Sequence, residues 1–157
     1  MELTLHFAGV LQSWGIPEFH MEQRRTNNEP THSGVCGLIG NALGLVREDE
    51  EELNEIKEKV SIVSIKAKNK IHKMTDDQIV GFGYGRDKRE NAKGKMTSDS
   101  YPQVQKEYIE DNDFTVVISG EDSFMEKVKE ALMNPKRPLH LGRKCCTGYK
   151  SIIGEEE

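Results

Sequence analysis

Long apolar runs are missing from this chain of 157 residues. No stretch approaches the roughly 20 consecutive apolar residues that a membrane-spanning helix requires, so no membrane partner is expected. Cysteine is sparse: there are three, two of them adjacent (Cys145, Cys146), and no C-x-x-C pair. That excludes a disulfide framework, argues against a zinc site and suggests a reducing, cytoplasmic setting. The glycine-rich stretch at 34–44 lacks the Lys-Ser/Thr of a nucleotide-binding P-loop. Neither a metal nor a cofactor is expected. A basic n-region is absent too, because Met1–Leu5 runs straight into strand-like sequence. No internal repeat is visible.

An excess of positive charge is also lacking. The net charge is −5, against a surface uniformly coated for nucleic acid. Its distribution is uneven, however. Acid collects at Glu48–Glu52 and in the Glu155–Glu157 tail. Base collects at Arg24-Arg25, at Lys66–Lys73, at Arg86, Lys88, Arg89, Lys93 and Lys95, and at Lys136-Arg137 and Arg143-Lys144. Segregation of this kind fits a protein that turns one face to an anionic polymer.

What is present is organised around Pro30–Gly44, which reads as one helix. Pro30 with the hydroxyls of Thr31 and Ser33 supplies start signals, and Gly44 a stop. At about 100° per residue, Val35, Leu38, Ile39, Ala42, Leu43 and Val46 make one apolar stripe. Gly34, Gly37, Gly40, Asn41 and Gly44 lie opposite. Each interior glycine costs about 1 kcal/mol relative to alanine, which is tolerated where bare backbone must approach another chain or a phosphate, or where a helix packs tightly on its neighbour.

Before that helix, Leu3, Leu5 and Phe7 alternate as a strand ending at Gly9, and a loop follows through Gln12, Trp14 and Pro17. After it, Leu53, Ile56 and Val60 mark a short helix, Val60–Lys68 a second strand, Phe114–Ser119 a third, and Phe124–Leu132 a helix closed by Asn134-Pro135. Leu139–Lys144 reads as a last short strand. Gly85–Ser100 is basic and poor in aliphatics, a projecting arm expected to order on a partner. The order β-α-β-(arm)-β-α-β predicts an α+β, ferredoxin-like or RRM-like sandwich: one domain over 1–157, with the arm at about 70–103.

Several segments resemble a known family. Phe7–Gly15, Arg25-Thr26, Pro30–Gly40, Ala42–Gly44, Phe114–Val116 and Ala131–Cys145 are similar, in order and spacing, to the CasD proteins of type I CRISPR systems, especially subtype I-E, in the RAMP superfamily. The resemblance implies a modified RAMP fold with a thumb arm, capping the 5′ handle of the CRISPR RNA (crRNA). It also implies contacts with the backbone and large subunits of the surveillance complex Cascade, and only indirect contact with target DNA in antiviral defence. In subtype I-E that subunit is structural, whereas subtype I-C relatives process the precursor RNA themselves. Members of subtype I-E continue beyond the segment matching Leu141–Cys145.

For RNA binding the candidates are Thr31, His32 and Ser33 at the helix start, where backbone N–H groups form an anion site, with Gly34 and Gly37 admitting the RNA backbone. Arg24, Arg25 and Thr26 before it, Arg143 and Lys144 opposite, and Arg86, Lys88 and Arg89 on the arm would meet phosphates. Trp14 either stacks a base or plugs the core, and Gln12 either reads a base edge or ties down its own loop. No catalytic residue is assigned. The rival reading, a metal-independent endoribonuclease, would draw on His20, His32 and His140 with Tyr84 and Lys144. A second rival is a protein-interaction module that meets a neighbour through the glycine face.

Overall fold

The structure, a computed structural model, describes residues 1–16, 23–79, 89–90, 96–97 and 103–154. Its spine is the strand β7 (Gln103–Ser119), which every other strand of the main sheet pairs with. β1 (Glu2–Gln12) runs antiparallel along one edge, from Glu2↔Ser119 to Gln12↔Ile109, and β2 (Gln23–Arg24) continues that edge in parallel at Gln105 and Lys106. The other edge carries β3 (Ser61–Ala67) against Phe114–Ser119 and β4 (Lys73–Ile79) against Gln103–Ile109. A separate two-stranded ladder joins β5 (Arg89–Glu90) to β6 (Met96–Thr97).

Three helices complete the described fold: α1 (His32–Leu43), α2 (Glu50–Lys59) and α3 (Asp122–Met133). The period-two residues of β1 and β7 supply the core, pairing Leu3 with Ile118, Leu5 with Val116 and Phe7 with Phe114. All six are buried, together with Val35, Ile39 and Ala42 of α1 and Met125 and Val128 of α3. In β3 the inward residues Ile62 and Ile65 are three apart, which strict alternation forbids. A bulge between Ile62 and Ser64 restores their register and leaves Val63 53% exposed.

α1 starts and stops where its sequence signals say. Thr31 is the N-cap, its hydroxyl accepting from the Gly34 N–H at 3.2 Å. Gly44 takes the left-handed conformation, φ 83°, and the Leu45 N–H returns to the Gly40 carbonyl at 2.9 Å. α2 and α3 likewise occupy the predicted segments.

Three expectations are corrected. β1 runs on to Gln12 instead of ending at Gly9. β7 begins at Gln103, eleven residues before Phe114, because backbone pairing with β4 and β2 sustains a polar stretch that shows no apolar alternation. Leu139–Lys144 forms bends and a turn, not a strand. The fourth sandwich position, on the outer edge of β1, is instead filled by isolated bridges at Leu5↔Ile153 and Gly9↔Gly148. The predicted arm at about 70–103 begins as β4. Residues 80–88, 91–95 and 98–102, which hold most of it with Tyr84, Arg86 and Lys88, lie outside the described residues, as do His20 and the acidic tail.

Candidate nucleic-acid interface

The N-terminal motif and the Leu141–Cys145 motif, some 130 residues apart in the chain, are clasped together. The Ser13 N–H donates to the Leu141 carbonyl at 3.0 Å. Gly142 follows at φ 92°, so close to Ser13 that a Cβ built there would fall on the Ser13 carbonyl. Only glycine satisfies both the backbone angle and the approach. Arg143 is thereby aimed at β7. Its guanidinium donates to the Glu107 carbonyl at 3.1 Å and to the Arg24 carbonyl at 2.7 Å, and lies 4.8 Å from the centre of the Tyr108 ring. One side chain thus ties β2, β7 and the C-terminal turn together.

Between this clasp and the glycine face of α1 runs an open groove of about 1330 Å³. Among the described residues, Arg24, Arg47, Lys106, Arg137, Arg143 and Lys144 line it, against a single carboxylate, Glu48. In a chain of net charge −5 this is a strong local reversal of sign. Residues that sequence reasoning missed are prominent here. Lys106 and Tyr108 come from the polar half of β7, Arg137 donates to the Leu45 carbonyl at 3.0 Å, and Asn41 donates to the Pro138 carbonyl. Arg137 was signalled only by its charge cluster with Lys136 and Asn41 by its place on the glycine face, while nothing signalled Lys106 or Tyr108.

The glycine face is only partly bare. A Cβ on Gly34 would lie 2.7 Å from the Trp14 indole, and one on Gly40 2.8 Å from Leu53 of α2. Those two glycines allow tight packing within the protein. Gly37 has nothing within 4 Å of such a Cβ and opens on the groove.

Of the candidate residues, Arg24, Gly34, Gly37, Arg143 and Lys144 share the groove. Arg25 is exposed beside it. Thr31 spends its hydroxyl as the helix cap, Ser33 is exposed at the helix start outside the groove lining, and His32 is held by the Val60 carbonyl, 2.7 Å from its Nε2. Arg89 is described only as the backbone of β5.

Gln12, Trp14 and Thr26 are all buried, which agrees with the core-plug alternative for Trp14 and the loop-tie alternative for Gln12 and gives no support to Thr26 as an RNA contact. The Gln12 amide donates to the Phe7 and Asn112 carbonyls at 2.7 and 2.8 Å and accepts from the Trp14 indole N–H at 3.1 Å. Trp14 packs on Phe7, with ring centres 5.2 Å apart. The Thr26 hydroxyl accepts from the Trp14 N–H at 2.7 Å. Their hydrogen bonds are spent inside the protein, so none is available to a base edge.

Two of the three thiols are buried, and Cys145 is exposed at the groove. Burial pushes Cys146 up to about 12 and Cys36 up to about 11, so both stay protonated at neutral pH. Among the described residues, no cluster of His, Cys, Asp or Glu suits a metal ion. No helix among them is long and apolar enough to cross a membrane.

A family model described as CRISPR-associated protein (Cas_Cas5) matches residues 2–156. The chain belongs to this family. It is 31% identical over 153 residues to the CRISPR system Cascade subunit CasD of Escherichia coli (strain K12), an alignment covering 92% of this chain and 66% of that protein. Its backbone superimposes on a chain of a CRISPR RNA-guided surveillance complex with a TM-score of 0.84, at 23% identity, over 98% of this chain and 62% of that one. A crystal structure of a Cas protein matches with a TM-score of 0.55 at 25% identity, covering all of this chain and 67% of the other. The Cas5-family chain therefore spans about two thirds of the length of these relatives. Its α+β fold, as expected from the order of elements, is shared with that surveillance-complex chain.

Proposed function

We propose that this Cas5-family chain is a structural subunit of a type I CRISPR surveillance complex, seating the 5′ handle of the guide RNA in the groove between α1 and the Arg143 turn. The observation that carries the reading is the groove itself: six cations facing one carboxylate, with open backbone at Gly37. Phosphates meet Arg24, Lys106 and Lys144, while Gly37 lets the sugar-phosphate chain lie against the helix. Backbone and large subunits of the complex are the protein partners, the assembly works in the cytoplasm, and target DNA is met only through it.

The role is binding, not cleavage. Of the described histidines only His140 lines the groove, so a paired-histidine acid and base is not assembled there among the described residues, although Glu48, Lys144 and Cys145 share the lining.

Binding of a short single-stranded RNA to the purified chain, titrated over salt, tests this. The logarithm of affinity should fall with the logarithm of salt by about 0.7 per phosphate neutralised, and the RNA should remain intact. Gly37→Leu has room on the protein side, so the fold should persist while RNA affinity drops. Leu38→Ala, a core truncation, should lower stability and leave the affinity of folded protein unchanged. Cleaved RNA, or the opposite ranking of the two variants, would defeat the proposal.

A further inference from the structure

Successive side chains of a strand point to opposite faces of its sheet. In the polar half of β7, Lys106 and Tyr108 line the cationic groove, which leaves Gln105 and Glu107 to the other face. There they meet Gln23, the register partner of Gln105 on β2, and Thr75, the partner of Glu107 on β4. With Arg24 and Arg25 these residues line a second, smaller cleft of about 210 Å³. Among the described residues no apolar side chain lines it, and Arg24 belongs to both the cleft and the groove.

We infer that this cleft is a base-reading pocket, which takes one guanine from the strand whose phosphates occupy the groove. The inference rests on the RNA-seating role proposed above and adds a sequence preference to it.

The cleft has more hydrogen-bonding capacity than it uses. Glu107 Oε2 accepts from the Thr26 N–H at 2.9 Å and lies 3.4 Å from Lys73 Nζ, so the carboxylate is fixed in place, while Oε1 has no donor among the described residues. Arg25 makes one hydrogen bond, 3.3 Å to Gln23 Oε1, and the Arg24 guanidinium makes none among the described residues. With Arg24 on the phosphate, a fixed carboxylate beside the Arg25 guanidinium matches guanine, which offers O6 and N7 to an arginine fork and N1–H and N2–H to a carboxylate. Of the four bases only guanine carries both a pair of adjacent donors and a pair of adjacent acceptors; adenine, cytosine and uracil lack the donor pair and can offer the carboxylate only one donor atom.

Position supports the same ligand. β2 is only two residues long and forms the sheet edge between cleft and groove. A nucleotide with its phosphate at Arg24 has to turn only around that short edge for its base to reach the opposite face. In the groove, by contrast, the Tyr108 ring is buried under Arg143 and is not free to stack a base. Backbone grip and base reading thus fall on the two faces of one strand.

The test uses the full chain and a set of eight-nucleotide RNAs, one all-uridine and the rest carrying a single guanine at successive positions. One position should bind about tenfold tighter than the all-uridine strand, as expected for a bidentate base contact. Glu107→Gln keeps an acceptor for the Thr26 N–H but offers one fewer acceptor to guanine, and should erase most of that gain while leaving all-uridine affinity and salt slope unchanged. Thr75→Leu, which fills the cleft from an exposed position, should do the same and serves if Glu107→Gln unfolds. Equal affinity for every strand, or a guanine preference that survives both variants, overturns the pocket and leaves the groove standing. Failure of all strands to bind at low salt overturns both.

Discussion

The two halves of β7 share one backbone ladder and otherwise have little in common. From Asn112 to Ser119 the strand lies between β1 and β3 and sends Phe114, Val116 and Ile118 into the core, each at most 1% exposed. From Gln103 to Glu110 it lies mostly between β4 and β2, and its alternation is polar on one face and cationic-aromatic on the other. A seam divides them: Asp111 has φ 37°, and the Asn112 side chain bonds the backbone of Asn69 on both its N–H and its carbonyl. The buried half is stabilised by apolar area removed from water. The polar half is stabilised by backbone pairing and side-chain bonds such as Lys106 to Gln78 and Arg143 to the Glu107 carbonyl, each worth about 1 kcal/mol net. A strand built that way keeps its charged side chains free to meet a ligand.

Phe114→Ala should break the contrast most sharply. Deleting a buried ring costs about 3–5 kcal/mol, enough to remove much of the stability of a domain this size, and chemical denaturation would measure it. Gly142→Ala should come next. It combines a left-handed backbone angle with a collision at Ser13, so the cost should exceed about 1 kcal/mol, and the clasp that aims Arg143 should loosen. Melting temperature and RNA affinity should therefore fall together.

A smaller effect should appear with pH. The ordinary thiol value is 9.0, and burial raises Cys36 to about 11 and Cys146 to about 12. The unfolded chain releases these protons first, so their contribution is complete below pH 9.0 and is lost as pH climbs through 11 and 12. Melting curves from pH 8 to 11 should show the decline, and Cys146→Ala should flatten it. The smallest change in stability belongs to Lys106→Ala, about 1 kcal/mol or less for the lost Gln78 bond, yet the same substitution should reduce the salt slope of RNA binding by about 0.7. A large stability loss there would erase the distinction between the two halves.

How much was legible follows the same division. Leu3, Leu5 and Phe7, the α1 caps and the apolar face of α3 all announced their places, because burial repeats with the period of the element. The polar half of β7 carried no such period, so Lys106 and Tyr108 went unnoticed, and Leu139–Lys144 passed for a strand although its carbonyls and N–H groups serve turns. The glycine face was legible as either an opening for a ligand or a packing surface. α2 and Trp14 cover two of its three interior glycines, which no one-dimensional pattern reports. Gln12, Trp14 and Thr26 resembled ligand contacts for a similar reason: polar and aromatic groups in a loop look alike whether they bond inward or outward.

By itself the amino-acid sequence determined the helices, the core strands and the family, since local caps, hydrophobic periodicity and paired motifs need no knowledge of what lies across the fold. Tertiary structure alone decided which cations gather into one groove and which of its glycines stays bare. Those depend on long-range approaches, Gly142 against Ser13 and Arg143 across β2 and β7, whose partners are far apart in the chain.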